Sequence, residues 1–100
     1  MRRPRSGYKI ARMGQSERQS GGSAIDAANA AVAAHLRAER ARASLKQSEL
    51  AEMSGLSVNT ILRLENGQRV MTLSQLFAIT SALGVDPGHF VDAAQASMRK

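Results

Sequence analysis

Cysteine and tryptophan are absent from this 100-residue chain, and its aromatic content is only Tyr8, Phe77 and Phe90. Without thiols there are neither disulfide staples nor thiolate metal ligands, a composition at home in a reducing compartment. With so few aromatics, a core must be assembled from Leu, Ile, Val, Met and abundant Ala, which favours packed helices over strands. Only two prolines interrupt it. No apolar run approaches the roughly 20 residues that span a bilayer, and no apolar secretory segment follows the N-terminus, so a cytoplasmic protein is expected. Enzymatic residue sets are missing as well. His35 and His89 stand far apart, and the carboxylates show none of the spacings that metal binding or acid–base chemistry requires. No enzyme, no metal site and no cofactor is therefore expected.

What the chain does have is positive charge, unevenly placed. The net charge is +6 and the isoelectric point near 11.1, which points to a polyanionic partner. Residues 1–22 carry six bases against Glu17 alone, whereas residues 24–92 carry six bases against seven acids. The segment "MRRPRSGYKIARMGQSERQSGG" lacks an apolar period and ends in a glycine pair, so it reads as a disordered basic arm. Two readings stay open for it: a solvated leader, or an arm that touches nucleic acid through Arg2, Arg3 and Arg5, whose "RRPR" resembles a minor-groove hook.

The remainder, 23–97, reads as one all-α domain of five helices. Ser23 with Asp26 forms a capping-box pattern, opening a helix over about 24–43 whose Ile25, Val32, Leu36 and Ala43 recur at helical spacing. A second helix fits 47–54 and ends at Gly55, where a left-handed residue is needed. Ser57 caps a third over 58–66, which buries Ile61 and Leu64 and stops at Gly67. Thr72 and Gln75 open a fourth over 73–83, with Leu73, Leu76, Phe77, Ile79, Thr80 and Leu83 turned inward. Asp86 and Pro87 open the fifth over 87–97, where Phe90 and Val91 close the core. Met53 and Met71 are expected to fill core or boundary space.

Two short helices joined by a glycine turn, with small Ala51 where they cross, form a helix-turn-helix pattern. With "LKQSELAEMSGLS", "TILRLENGQR" and "ALGVDPGHF", the run from about Val32 to Val91 resembles the lambda Cro/repressor-like (XRE) family. The resemblance implies a compact lambda-repressor-like fold and a prokaryotic or phage transcriptional regulator, in the first instance a repressor, that binds double-stranded operator DNA. By the same resemblance the third helix enters the major groove, with Ser57, Val58, Asn59, Thr60 and Arg63 facing base edges. That chemistry is sound: arginine bridges guanine O6 and N7, asparagine pairs with adenine, and aliphatic groups meet thymine methyls. Phosphate contacts fall on Lys46, Gln47, Asn66, Gln68 and Arg69, which position without reading sequence. Arg40 and Glu65 stand where family members pair a first-helix arginine with this glutamate.

Three positions depart from the pattern: Lys46 for a capping Ser or Thr, Ser54 for an aliphatic, Met71 for a proline. A homodimer on a pseudo-palindromic site is expected, with two candidate pairing surfaces: the alanines 27, 30, 31 and 34, and Phe90, Val91 and Ala94. The alternative function is that of an antitoxin or phage modulator, whose main role is to bind a partner protein.

Overall fold

A computed structural model describes the backbone of residues 17–99 and the side chains of residues 24–99. The described residues form α1 (Glu17–Arg42), α2 (Gln47–Ser54), α3 (Val58–Glu65), α4 (Leu73–Leu83) and α5 (Pro87–Ser97), and no strand. The last three helices have the starts that their capping residues dictate. The Ser57 hydroxyl accepts the Thr60 amide at 3.0 Å, and Thr72 and Gln75 exchange reciprocal bonds. Asp86 Oδ2 accepts the His89 amide at 2.9 Å, with Pro87 in the first turn. Each of these side chains satisfies a backbone donor that a helix start leaves without an internal partner.

At the exits the chain turns through left-handed residues. After α3, Gly67 takes φ 72°, and the Gln68 and Gly67 amides donate back to Arg63 O and Leu64 O at 2.9 and 3.2 Å. This double bond pattern closes the helix and throws the chain sideways. The exit of α1 has the same bonds, Leu45 N–H to Arg40 O and Ser44 N–H to Ala41 O, but the left-handed position holds Ser44 at φ 59°. A side chain with a Cβ is strained there.

Leu36 of α1, Leu50 and Ala51 of α2, Ile61 and Leu64 of α3, Leu76 and Ile79 of α4 and Phe90 of α5 interlock as one core. The helix-turn-helix pair α2–α3 rests on α1 and α4, while α5 packs along α1. Ala51 is buried at the crossing, as its small side chain requires.

Several expectations need correction. Helix α1 begins at Glu17 and not near Ala24, so Ser23 lies inside it and not at a cap. Glycines 21 and 22 each disfavour helix by about 1 kcal/mol, but a helix already nucleated on its alanine-rich, core-anchored half propagates through them. The supposed arm therefore divides: residues 17–22 are helical, and residues 1–16 lie outside the described residues. Helix α1 ends at Arg42 and α3 at Glu65, each one residue early. Ile25, Met53, Leu73, Phe77 and Val91 are exposed, not buried. Helical periodicity marks an apolar stripe but not its width, and Leu73 and Phe77, one turn apart, lie on the flank of the stripe that Leu76, Ile79 and Thr80 bury.

Candidate nucleic-acid interface

The site is built from the underside of α3. Ile61 and Leu64 enter the core, and Glu65 lies beside them with 1% of its surface accessible. A buried carboxylate needs partners, and two neighbouring helices supply them. Arg40 of α1 donates through Nε to Glu65 Oε2 at 2.5 Å and through Nη2 to Oε1 at 3.0 Å. Gln47 of α2 donates to Oε1 at 3.0 Å. Arg37 of α1 donates to the Glu65 backbone carbonyl. The Arg40–Glu65 pair thus forms, bidentate and largely dry, with the arginine side chain 21% exposed. The Arg40 pKa is held above its ordinary value by the hydrogen bond to Glu65 and by the attraction between the charges, against the lowering effect of burial.

With α3 held from below, its opposite face is free. Val58, Asn59, Leu62 and Arg63 are exposed, and Thr60 is half-buried. Of the five residues expected to face base edges, Val58, Asn59 and Arg63 are brought onto this outward surface. Ser57 and Thr60 are not equally free, since the Ser57 hydroxyl donates to Thr60 Oγ1 at 2.9 Å while capping the helix. Leu62, absent from that set, shares the outward surface.

The two expected phosphate-contacting segments are drawn together by the Gln47–Glu65 bond, which sets the start of α2 beside the end of α3. Lys46, Asn66, Gln68 and Arg69 are exposed. Gln47 is half-buried, and its side-chain amide serves Glu65 first. Lys46 supplies no cap from its own side chain, but Glu49 Oε1 accepts the Lys46 amide at 2.7 Å and partly makes up for it. Sequence reasoning missed the contribution of Arg37. It also missed Glu39, which is buried with Arg42 Nη1 at 2.7 Å and His35 Nε2 at 3.1 Å. His35 itself stands edge-on to Phe90, ring centres 4.8 Å apart. The one available signal for Glu39 was its i+3 and i+4 spacing to those two residues.

A short helix pair with a glycine turn, gripped by a first-helix arginine and presenting Asn59 and Arg63 on its outer face, defines a helix-turn-helix DNA-binding module. The helix-turn-helix family model matches residues 36–90, and the chain belongs to this family of DNA-binding transcriptional regulators. Among solved structures, it is similar to the clp gene regulator ClgR from Corynebacterium glutamicum. One ClgR structure is 31% identical with a TM-score of 0.67, over 71% of this chain and 92% of that one. A second ClgR structure is 30% identical with a TM-score of 0.69, over 72% and 77%. The restriction-modification controller protein C.AhdI from Aeromonas hydrophila is 29% identical with a TM-score of 0.60, over 62% and 94%. No curated protein matches. Among the described residues, no helix is long and apolar enough to cross a membrane, and no group of three or more His, Asp or Glu is placed to hold a metal ion.

Proposed function

We propose that this protein is a sequence-specific double-stranded DNA-binding regulator that acts as a repressor, reading the major groove with α3 as a two-fold dimer. The observation that carries the reading is the exposure of Asn59 and Arg63 one turn apart on the face of α3 opposite its buried Ile61, Leu64 and Glu65. Asn59 pairs with an adenine edge and Arg63 with a guanine edge. Lys46, Asn66, Gln68 and Arg69, at the two ends of the helix pair, grip phosphates on either side. Gln47 adds its backbone amide at the start of α2. Occupancy of an operator blocks transcription sterically without any further activating surface.

One helix reads only a few base pairs, so a second copy supplies usable specificity, with half-sites centred about 34 Å apart or a multiple of that. Of the two pairing surfaces considered, the C-terminal one is favoured, because α5 borders an apolar groove, whereas Ala27, Ala30, Ala31 and Ala34 do not line it. A groove of about 270 Å³ runs between α1 and α5, lined by Ala28, Val32, Val91, Ala94, Gln95 and Met98. Phe90 and Ala94 are buried within the protomer, which leaves Val91 of α5 and Met98 just beyond its end as the exposed apolar contacts.

Selection from a random duplex pool, followed by binding of Arg63→Ala, tests the reading. The variant is expected to lose about 5- to 150-fold per half-site on the selected DNA, the equivalent of one bidentate contact in each protomer, and little on random duplex. Equal losses on both would reduce Arg63 to a phosphate contact. A second reading, capture of a partner protein, is favoured by the exposure of Val70, Leu73 and Phe77 around the start of α4. Salt separates the two, because DNA affinity falls steeply with ionic strength and apolar capture does not.

A further inference from the structure

The outward face of α3 is not uniformly polar. Val58 is 46% and Leu62 39% exposed, and they stand one turn apart on the same flank, beside Asn59 and Arg63. Exposed aliphatics are ordinary on protein surfaces. This pair differs by location, because a helix laid in the major groove brings its outward side chains against base edges. There the only apolar group on offer is the C5-methyl of a pyrimidine, since every other exposed edge atom of the four bases is a hydrogen-bond donor or acceptor or a small ring C–H. An aliphatic side chain pressed against those polar atoms would strip their water and return nothing. The same side chain against a methyl removes apolar surface from water on both sides.

We propose that Leu62, together with Val58, is a specificity determinant that reads pyrimidine C5-methyl groups in the bound DNA. The inference rests on α3 being the major-groove reading element. Four residues of helix advance about 6 Å and one base pair about 3.4 Å, so the two methyls lie within about two base-pair steps of each other. Asn59 and Arg63 then fix hydrogen-bonding bases, while Val58 and Leu62 require methylated pyrimidines at neighbouring positions. Thymine and 5-methylcytosine offer the same methyl group, and modified duplexes tell them apart.

The test uses the intact protein and the site it selects from a random duplex pool. Each thymine is replaced singly by deoxyuridine, which removes the methyl and keeps the pairing edge, and affinity is read by fluorescence anisotropy. Two thymines in each half-site, within about two steps, should each weaken binding about fourfold on losing one buried carbon. Leu62→Ala should abolish one of these dependences and Val58→Ala the other, with thermal melts close to the parent. If a selected position is cytosine, 5-methylation there should raise affinity for the parent about fourfold and leave Leu62→Ala unchanged, which assigns the source to 5-methylcytosine. Equal losses by Leu62→Ala on thymine and deoxyuridine duplexes overturn the proposal, as does a half-site at which no pyrimidine methyl matters. Should Arg63→Ala lose the selected site while Leu62→Ala does not, the methyl proposal falls alone. If no sequence is enriched from the pool, it falls together with the reading on which it rests.

Discussion

Replacing Glu65 by glutamine removes one charge and changes almost no volume, so its cost isolates the electrostatic hold on α3. Glu65 is 1% exposed and accepts from Arg40 at 2.5 and 3.0 Å and from Gln47 at 3.0 Å. Breaking a buried pair by removing one partner costs about 3–5 kcal/mol, against about 0–1 for an exposed pair. The Arg40 side chain, 21% exposed, keeps some water, and its Nη1 still donates to Leu45 O at 2.9 Å. The loss is therefore placed at the lower end, about 3 kcal/mol. A glutamine must also turn its NH₂ toward Arg40 or Gln47, both donors. A domain of this size holds only about 4–11 kcal/mol in all, and 1 kcal/mol moves its Tm by about 4–8 °C. Thermal melts followed by far-ultraviolet circular dichroism should then place Glu65→Gln about 12–24 °C below the parent. The double variant Arg40→Met, Glu65→Leu should cost less than the two single changes together, because neither charge is stranded. A Glu65→Gln melt within about 2 °C of the parent would refute the reasoning and reduce the pair to a surface contact. Arg40 carries a raised pKa, so its share of the stability is present at every pH below its ordinary value and is lost only as pH rises through the folded value. The drop should therefore be the same at pH 6 and pH 8.

Ser44 at φ 59° predicts that Ser44→Gly raises stability by about 1 kcal/mol, read as a higher urea midpoint at unchanged slope; a lower midpoint contradicts the strain. Lys46→Ser should gain about 1 kcal/mol of capping and, if Lys46 holds a phosphate, flatten the plot of log affinity against log salt by about 0.9 for each protomer bound. Deleting residues 1–16 should leave the melt unchanged and lower that salt slope by about 0.9 for each phosphate the segment neutralises, whereas an unaltered slope makes the segment a bystander to DNA binding.

How much was legible in the sequence depended on whether the determinant was local. Helices α2, α4 and α5 have the expected bounds because Gly55, Thr72 with Gln75, and Asp86 with Pro87 encode start and stop within four residues. The start of α1 was misread because a cap pattern such as Ser23 with Asp26 only permits a helix to begin, and does not oblige it to. Leu73 and Phe77 were misplaced because which flank of a stripe is covered depends on where neighbouring helices end. The Arg40–Glu65 pair was found through family resemblance alone. Nothing local joins residues 25 positions apart, and the same distance hid Arg37, whose bond to the Glu65 carbonyl spans 28. Gln47 shows the opposite limit: a residue assigned to the ligand turns out to serve the scaffold first.

The separation between the gripped underside of α3 and its free upper face bears on how such a protein changes over generations. Ile61, Leu64 and Glu65 carry the packing of the helix, while Val58, Asn59, Leu62 and Arg63 are exposed and contribute nothing to the core. Substitutions at those four positions are therefore close to neutral for folding, within about 0.5 kcal/mol for surface sites. If α3 reads DNA as proposed, mutation reaches a new operator through single steps without passing through unfolded intermediates. Two copies of such a gene can then drift toward different targets while sharing one interior, and the face proposed to read DNA is also the one that stability leaves free to vary.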